Sequence, residues 1–500
     1  MKRLDVQRLL LLVFLGVMLV AAAVAAAQPR NLDTDIWWHL ANGRYILGHG
    51  IPSTDVYSFT AIGHAWVVHE WLADIGMYLA YGVVGISGLI VLAALAVAAG
   101  ELVVFRLLRA GGLGPTSAVA VGLLLAVASA PSWGPRPQLL NFVFTALLTL
   151  ALLRYRRRPG RWLLWVPALF VLWANLHSGF VVGVGLLLVF WVGEAAQARL
   201  PRLASGRPEG VPVMGRDELR RLLLVAVGGL VAGLLTPGTY RTVGFALGTL
   251  TSQRIQSLIV EWASPDFHSI SGQALLLVLL LMIAGAIGVG RSAARVDATY
   301  LLLGLAGLTL GLTSQRHVPI FAACGAPLVG QLVSSLLAGL GARPRVLRQP
   351  SAAAARINLA IAAVLLLAGA AYTWNAVSPA AVDRAVAASA PSEATDYLLA
   401  HRPPGRLFNT YNFGGYLDWR AYPTYHVFID GRTEVYGDAV VDQYLSVEFL
   451  SEDFESTLDH YGVNTVMIAA GDPFRLLLET RGWHRVHGDN VALVYVRAGA

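Results

Sequence analysis

Long apolar runs with few charges fill most of the sequence and leave few possible folds. Hydrophobic residues make up 56% of the 500 residues and charged residues 13%, about half of the roughly 25% usual in soluble domains. A membrane helix needs about 20 mostly apolar residues, and about eleven runs reach or approach that length. The composition excludes a soluble enzyme and a disordered chain, and it predicts a polytopic α-helical membrane protein. The predicted spans are 9–27, 85–108, 116–131, 137–153, 162–175, 179–197, 221–236, 272–290, 298–312, 317–340 and 357–374.

The positions of the basic residues predict the orientation in the membrane. Lys2, Arg3 and Arg8 precede the first span, so the positive-inside rule puts the N-terminus in the cytoplasm. With eleven spans, every arginine cluster of the connecting loops falls on the cytoplasmic side, and 28–84 and the residues after 375 fall outside. The net charge of +7 therefore reflects topology and requires no nucleic-acid partner. The main arginine-bearing cytoplasmic loops are 154–161, 198–220, 291–297 and 341–356.

Two local features limit the alternatives. The first span ends in a run of small residues, as a signal peptide does, but the many later spans favour an uncleaved helix. Cys324 is the only cysteine of the chain, which excludes a disulfide framework and a cysteine-based metal cluster. The chain is therefore expected to be a multi-pass protein of the plasma (inner) membrane.

Acidic residues mark two regions outside the membrane. Sixteen of the 30 acidic residues follow residue 375, and five lie between 28 and 84. We expect a transmembrane domain, 1–374, that includes the first outer loop, 28–84, and a small extracytoplasmic α/β domain, 375–500. Apolar runs in the second domain predict strands, and the segments between them predict helices. The predicted strands are 406–409, 426–430, 463–468 and 491–496, and the predicted helices are 392–401, 414–421, 452–461 and 473–481.

The first outer loop holds the most unusual polar residues. Asp33 and Asp35 follow a span directly, and ionisable groups at membrane depth are costly enough to be candidates for function. The residues after them predict an amphipathic helix in the membrane interface, anchored by Trp37 and Trp38. A second such helix is predicted over 68–82. The loop also contains His39, His64, His69, Glu70 and Asp74.

Short outer segments hold further candidates, each with a structural alternative. Arg136 breaks the positive-inside pattern, and its guanidinium either reaches the lipid headgroups or binds a phosphate through two N–H groups. His177 either caps a helix in its turn or binds a ligand. Glu261 belongs either to a surface turn or to a site, and Asp430-Gly431-Arg432 is either a salt-bridged turn or a ligand contact at a strand end. The same face holds Arg316 and His317.

These features together resemble the GT-C superfamily of integral-membrane glycosyltransferases, and more closely an uncharacterised bacterial branch of it. An acid-bearing first outer loop, about eleven spans and a late outer α/β domain are the shared architecture, which covers nearly the whole chain. The fold class implied is a GT-C-like helical membrane domain with the small α/β domain appended. The segments that carry the resemblance are 33–40, 69–72, 136–138, 173–177 and 428–432.

The resemblance implies transfer of a sugar from a polyprenyl-phosphate donor to a glycan, lipid or protein acceptor of the cell envelope. In that family an acid of the first outer loop acts as base or coordinates a metal, a role that falls here on Asp35 or Asp33. A divalent cation, Mg²⁺ or Mn²⁺, bound by these two residues is a secondary expectation, because no second carboxylate cluster supports it. Glu70 is the other candidate base.

The chemistry of the transfer assigns the remaining residues. Departure of a lipid phosphate requires positive charge, which suits Arg136, Arg316, His177 or His317, and a single displacement would invert the anomeric centre. A groove between spans would hold the lipid tail. The accessory or acceptor-binding candidates are His39, His69, Glu261, Asp430 and Arg432.

Two other functions compete with glycosyl transfer. A transporter or flippase for lipid-linked glycans would need charged residues deep in several spans and repeated halves, and no repeat is visible. A non-enzymatic envelope-assembly scaffold would tolerate substitution of the candidate site residues. A polysaccharide ligase or polymerase would carry its large outer loop late among the spans, whereas here it follows the first.

Overall fold

The chain is mostly helical and forms two compact units. The computed structural model describes residues 32–251, 260–290, 295–341 and 352–499, and isolated positions near residue 16. Of these residues, the helical unit contains 90–247, 260–290, 295–341 and 352–377, and the loop–sheet unit contains 32–89, 248–251 and 378–499. The first outer loop, assigned from sequence to the transmembrane domain, therefore groups with the C-terminal residues.

Nineteen α-helices lie in the described part of the chain, with 3₁₀ turns at Ala130–Ser132, Arg161–Trp165, Val260–Trp262 and Gln315–His317. The helices are α1 (Asp35–His49), α2 (Trp71–Ala110), α3 (Pro115–Ser129), α4 (Leu139–Arg157), α5 (Val166–Leu176), α6 (Phe180–Arg199), α7 (Pro201–Ala204), α8 (Arg216–Ala232), α9 (Tyr240–Thr251), α10 (Ile270–Gly290), α11 (Ala298–Thr313), α12 (Val318–Gly339), α13 (Ala352–Ala376), α14 (Pro379–Ser389), α15 (Ser392–His401), α16 (Tyr411–Arg420), α17 (Thr433–Glu448), α18 (Phe454–His460) and α19 (Phe474–Thr480).

Seven helical segments of the described residues are long and apolar enough to cross a membrane, and two shorter apolar ones, Arg161–Leu176 and Ala298–Thr313, match further predicted spans. The predicted span 9–27 lies outside the described residues apart from isolated positions. The predicted span 221–236 corresponds to α8, whose first turns carry the charged sequence Arg-Asp-Glu-Leu-Arg-Arg. The seven segments are Trp71–Ala110, Pro115–Ser132, Leu139–Arg157, Phe180–Arg199, Ile270–Gly290, Gln315–Gly339 and Leu359–Ala376.

The helical unit is built around α12, which is buried from Val318 to Gly330. Small residues let neighbouring helices approach it closely, as is usual for membrane helices. A Cβ added to Gly330 would lie 2.4 Å from the carbonyl oxygen of Leu108, and one added to Gly304 would lie 2.3 Å from Leu328 Cδ2. The packing of this unit therefore depends on glycine at its helix contacts.

A buried network of ion pairs lies at the C-terminal end of α4. Arg156 lies 2.7 Å from Glu194 and also pairs with Asp297, and Arg207 pairs with Glu194. Thr299 donates a hydrogen bond to Glu194 at 2.7 Å. Two guanidinium groups thus balance two carboxylates, and we interpret the network as a structural connection between α4, α6 and α11.

The loop–sheet unit contains a four-stranded mixed sheet of order β1-β2-β4-β3. Strand β1 pairs parallel with β2, and β4 pairs antiparallel with both β2 and β3. Three predicted strands and the helices predicted around them are confirmed. The edge strand β3 was missed, because its side chains are mostly polar and exposed. The strands are β1 (Arg406–Asn409), β2 (Val463–Ala469), β3 (Trp483–Gly488) and β4 (Ala492–Arg497).

The strand predicted at 426–430 is wrong, because this segment pairs with the first outer loop instead of the sheet. Ser58 forms an isolated parallel bridge with Val427. The hydroxyl of Thr60 donates to the carbonyl oxygen of Phe428 at 2.5 Å. The apolar run is buried as a strand would be, but its backbone partner is a segment more than 360 residues earlier.

The first predicted interfacial helix is present as α1, but it is buried within the loop–sheet unit. Trp37 and Trp38 are 6% and 7% exposed, and the ring of Trp37 lies 5.0 Å from that of Tyr416 in α16. The two tryptophans are therefore core residues rather than interface anchors. The second predicted helix is the first part of α2, which Gly85 (φ 64°) separates from the rest.

Candidate active site

Asp35 is the first residue of α1, and Asp33 holds the start of that helix. The Oδ1 atom of Asp33 accepts a hydrogen bond from the backbone N–H of Asp35 at 3.0 Å. The Asp35 carboxylate lies against Gly431, since a Cβ added there would be 2.3 Å from Asp35 Oδ1 and 2.9 Å from Trp38 Nε1. Asp35 therefore adjoins the 430–432 turn, and Asp33 binds the backbone N–H of Asp35.

The surroundings of Asp35 disfavour additional negative charge. Burial raises the pKa of Glu434 to about 7, and the charges of Asp430 and Asp35 add to that effect. Burial and the nearby Asp35 carboxylate also raise the pKa of Tyr411, whose hydroxyl lies 2.9 Å from that of Thr433. Asp35 therefore lies in one electrostatic environment with the buried side chains of Glu434 and Tyr411.

His39, Glu70 and Asp74 form a buried cluster beside this helix. The Nδ1 atom of His39 lies 2.7 Å from Asp74 Oδ1 and 3.8 Å from Glu70 Oε2, and Asn42 donates to Asp74 Oδ2 at 2.6 Å. Burial lowers the pKa of His39, but the hydrogen bond and the nearby carboxylates outweigh burial and raise it. His69 lies at the edge of the cluster, 3.7 Å from Glu70 Oε1.

The same three residues could hold a metal ion, because their ligand atoms all lie within 4.8 Å of one another. One imidazole nitrogen and two carboxylates suit ions such as Zn²⁺ or Mn²⁺. Among the described residues, the other group of this kind is Glu393, His487 and Asp489. Neither group includes Asp33 or Asp35, the two acids that the sequence suggested as metal ligands.

Asp430 and Arg432 were predicted as accessory or acceptor-binding residues, but both are fully buried. Arg432 Nη1 lies 2.7 Å from Asp55 Oδ1, and Arg432 Nε donates to Asp430 Oδ1 at 2.9 Å. The guanidinium lies 4.8 Å and 4.5 Å from the ring centres of Tyr57 and Trp66. The structure therefore has the salt-bridged turn, in which Arg432 joins the first outer loop to the C-terminal residues.

Asp418 is a third buried carboxyl beside this ion pair. Burial and the adjacent Asp430 carboxylate raise the pKa of Asp418 well above its usual range. Burial also acts to raise the pKa of Asp55, but the charge of Arg432 and the hydrogen bonds from Ser58 and Arg432 outweigh it and lower that pKa. Asp418 therefore keeps its proton in the folded state under conditions where the unfolded chain has lost it.

We expect Asp418→Asn to remove a pH-dependent loss of stability. Below about pH 4 the carboxyl is protonated in both states, and above that pH the unfolded state gains by ionising. Wild-type stability should then fall by up to about 1.4 kcal/mol per pH unit relative to D418N, until the folded-state pKa is reached. Thermal unfolding of both proteins from pH 4 to 8 tests this, with exposed Asp396→Asn as control. A constant difference between wild type and D418N across that range would contradict it.

The phosphate-binding candidates Arg136 and Arg316 lie in a second cluster, within the helical unit. Arg136 pairs with Glu261; their side chains are 9% and 28% exposed. Arg316 Nη2 donates to Gln138 Oε1, and its guanidinium lies 4.7 Å from the ring centre of Trp262. His317 contacts the same ring edge-to-face at 5.3 Å. The structure thus brings Arg136, Glu261, Arg316 and His317 together.

His177 caps a helix, which was the structural alternative to ligand binding. Its Nδ1 atom accepts a hydrogen bond from the backbone N–H of Gly179 at 2.8 Å, at the start of α6. The side-chain amide of Asn141 lies 3.0 Å from the same nitrogen, and Asn141 also accepts from Trp173 at 2.8 Å. We assign His177 to the support of this turn.

Several residues of these clusters were not among the sequence candidates. Gln138 and Trp262 complete the arginine cluster; Gln138 lies in the 136–138 segment that carries the family resemblance, but neither residue had been assigned a role. Asp74 had a usable signal, because Glu70 and Asp74 are four residues apart and share a helix face. Asp55 and Asp418 lie 363 positions apart in the numbering, so no local pattern connects them.

Over nearly its whole length the chain shares its fold with a solved membrane protein. It is similar to the archaeal oligosaccharyltransferase AglB from Archaeoglobus fulgidus, solved in complex with an inhibitory peptide and a dolichol-phosphate. The two share 11% identity at a TM-score of 0.52, over 97% of this chain and 74% of AglB. ArnT from Cupriavidus metallidurans, bound to undecaprenyl phosphate, matches at 14% identity and a TM-score of 0.47, over 97% of this chain and 98% of ArnT. No protein-family model and no curated protein matches the chain.

Proposed function

We propose that this protein is a glycosyltransferase that moves a sugar from a polyprenyl-phosphate donor to a cell-envelope acceptor. The observation that carries the proposal is the largely buried cluster of Arg136, Gln138, Trp262 and Arg316, which offers positive charge and N–H donors to an anion. AglB, whose fold the chain shares, binds a dolichol-phosphate, and this supports a lipid phosphate as the anion. The proposed reaction takes place at the outer face of the plasma membrane, with the N-terminus in the cytoplasm.

The proposed transfer is a single inverting displacement. Asp35 removes the proton of the acceptor hydroxyl, the oxygen attacks the anomeric carbon, and the bond from that carbon to the lipid phosphate breaks. Arg136 and Arg316 stabilise the charge on the departing phosphate, with His317 beside them. The Asp33 carboxylate positions Asp35 by accepting a hydrogen bond from the backbone N–H of Asp35. Glu70 is the second candidate for the base, and its buried position beside His39 favours a supporting role.

His39, Glu70 and Asp74 are the residues that we propose for a divalent cation. Their buried nitrogen and oxygen ligand atoms fit one, and Asn42 orients Asp74 from outside the group. A bound cation would supply positive charge to orient a substrate oxygen or to stabilise the loop.

Metal content tests this assignment without reference to activity. Protein purified without chelator should contain about one equivalent of a transition metal by elemental analysis, and His39→Gln or Asp74→Asn should lose it. Glu393→Gln, in the other group of possible ligands, is the matched control and should retain the metal. Equal metal content in wild type and H39Q would refute the site.

Reconstitution tests the proposed function. The purified full chain is mixed with a radiolabelled polyprenyl-phosphate hexose and an envelope extract that contains glycans, lipids and proteins. We expect label to move into the extract and free polyprenyl phosphate to accumulate. If label stays on the lipid with donors of several hexoses, or if the protein only moves intact lipid-linked sugar across vesicles, the proposal is wrong.

A further inference from the structure

Three neutral side-chain N–H groups buried in the helical unit have no hydrogen-bond acceptor among the described residues. They are the indole Nε1 of Trp133, the amide Nε2 of Gln138 and the indole Nε1 of Trp262. These residues are only 3%, 8% and 9% exposed. A buried donor without an acceptor is costly, so the group is suited to an acceptor that comes from outside the chain.

Gln138 and Trp262 contact Arg316, and Trp133 lies in the turn that carries Arg136. Gln138 accepts from Arg316 through its amide oxygen, which leaves Nε2 on the other branch of the same amide. The Trp262 ring lies against the Arg316 guanidinium, and Trp133 precedes Arg136 by three residues in one turn. Ser132 ties this turn to the 315–317 segment through the carbonyl oxygen of Gln315 at 3.4 Å. The site therefore combines two guanidinium groups with three neutral N–H donors.

Among the described residues, Glu261 contributes a carboxylate to this site. Its carboxylate pairs with Arg136 and is the more exposed partner, at 28% against 9%. Its second oxygen, Oε2, has no hydrogen-bond partner among the described residues. Two guanidinium groups and one carboxylate leave one positive charge among these three side chains.

We propose that Glu261 is an exchangeable counter-ion, and that the phosphate monoester of a polyprenyl lipid displaces it from Arg136. The oxygens of the monoester then accept hydrogen bonds from Trp133, Gln138 and Trp262. A phosphate monoester has three terminal oxygens for these three N–H groups, whereas a carboxylate has two. The inference rests on the proposed function and specifies how its lipid phosphate is held and released.

The exchange favours binding of the leaving group, free polyprenyl phosphate, over binding of the sugar-linked donor. A sugar-linked phosphodiester carries one negative charge, whereas the free monoester carries up to two and presents one more terminal oxygen. The site therefore holds the phosphate more tightly as the glycosidic bond breaks. The return of Glu261 to Arg136 then competes with the phosphate and promotes its release.

Direct binding of polyprenyl monophosphate to the full chain in nanodiscs, followed by native mass spectrometry, tests the exchange. Glu261→Gln removes the competing charge and should bind the lipid about tenfold more tightly than wild type. Gln138→Leu and Trp262→Phe each remove one N–H donor and should bind it more weakly. Polyprenol, which lacks the phosphate, should not bind to this site. Inorganic phosphate should compete with the lipid only if the phosphate head group alone is enough for binding.

The controls separate this inference from the proposed function. Asp396→Asn, which removes an exposed carboxylate that pairs with Arg420, should leave lipid affinity unchanged. If wild type binds polyprenyl phosphate but E261Q and E261A bind equally or more weakly, the exchange is refuted while the phosphate site stands. If wild type does not bind polyprenyl phosphate at all, both the exchange and the proposed donor are refuted.

Discussion

Asp35→Asn should abolish sugar transfer, with a loss of at least about 100-fold, the lower range for removal of a general base. Asparagine keeps the size of the side chain against Gly431, so the fold should be retained. The measurement is transfer of labelled sugar by purified protein, with thermal unfolding as the check on folding. Activity equal to wild type would remove Asp35 from the mechanism.

Two further substitutions separate the chemistry of Asp35 from its position. Asp33→Asn retains an oxygen that accepts from the Asp35 N–H, so it should lose much less activity than D35N. Gly431→Ala would put a methyl group 2.3 Å from Asp35 Oδ1 and should lower activity by displacing the carboxylate. Gly471→Ala is the matched control, because a Cβ there meets nothing within 4 Å. If D33N is as inactive as D35N, the assignment of the base to Asp35 alone is wrong.

Replacement of Arg432 should have the largest effect on stability. The guanidinium is fully buried between Asp55 and Asp430, and its loss leaves two carboxylates without their counter-ion. Removal of one partner of a buried ion pair usually costs about 3 to 5 kcal/mol. We expect Arg432→Met to lower the free energy of unfolding of the full chain in detergent by that amount, measured by denaturant titration.

A matched arginine provides the control. Arg420 pairs with Asp396 on the surface, where the side chains are 41% and 62% exposed, and an exposed pair contributes only about 0 to 1 kcal/mol. Arg420→Ala should therefore have little effect on unfolding. The triple variant R432M, D55N and D430N should recover part of the stability, because it removes the unpaired charges. An R432M protein as stable as R420A would show that Arg432 does not hold the loop to the C-terminal residues.

Local patterns predicted most of the individual elements. The apolar runs located seven membrane-length helices and two shorter ones, since a span depends on its own length and hydropathy. Strands β1, β2 and β4 and helices α15, α16, α18 and α19 followed from local patterns, whereas α17 was not predicted. Strand β3 did not, because it lies at the sheet edge with mostly exposed polar side chains.

The candidate sites were less predictable, because burial and pairing depend on distant parts of the chain. Tryptophan is a residue type typical of interface anchors, yet Trp37 is buried with its ring packed against that of Tyr416. Arg432 looked available to an acceptor, but it is enclosed by Asp55, Tyr57 and Trp66 from the first outer loop. The two residues of each contact are more than 350 positions apart in the sequence.

Hydropathy acts within each segment, so the amino-acid sequence was enough to predict a helical membrane protein with polar residues concentrated in two regions. The partners of those polar residues became visible only in the folded chain. Asp430 and Arg432 form a buried ion pair, and Arg136, Gln138, Trp262 and Arg316 form one partly buried cluster. The free energy of a polar side chain depends on the groups around it, and those groups come together only when the chain folds.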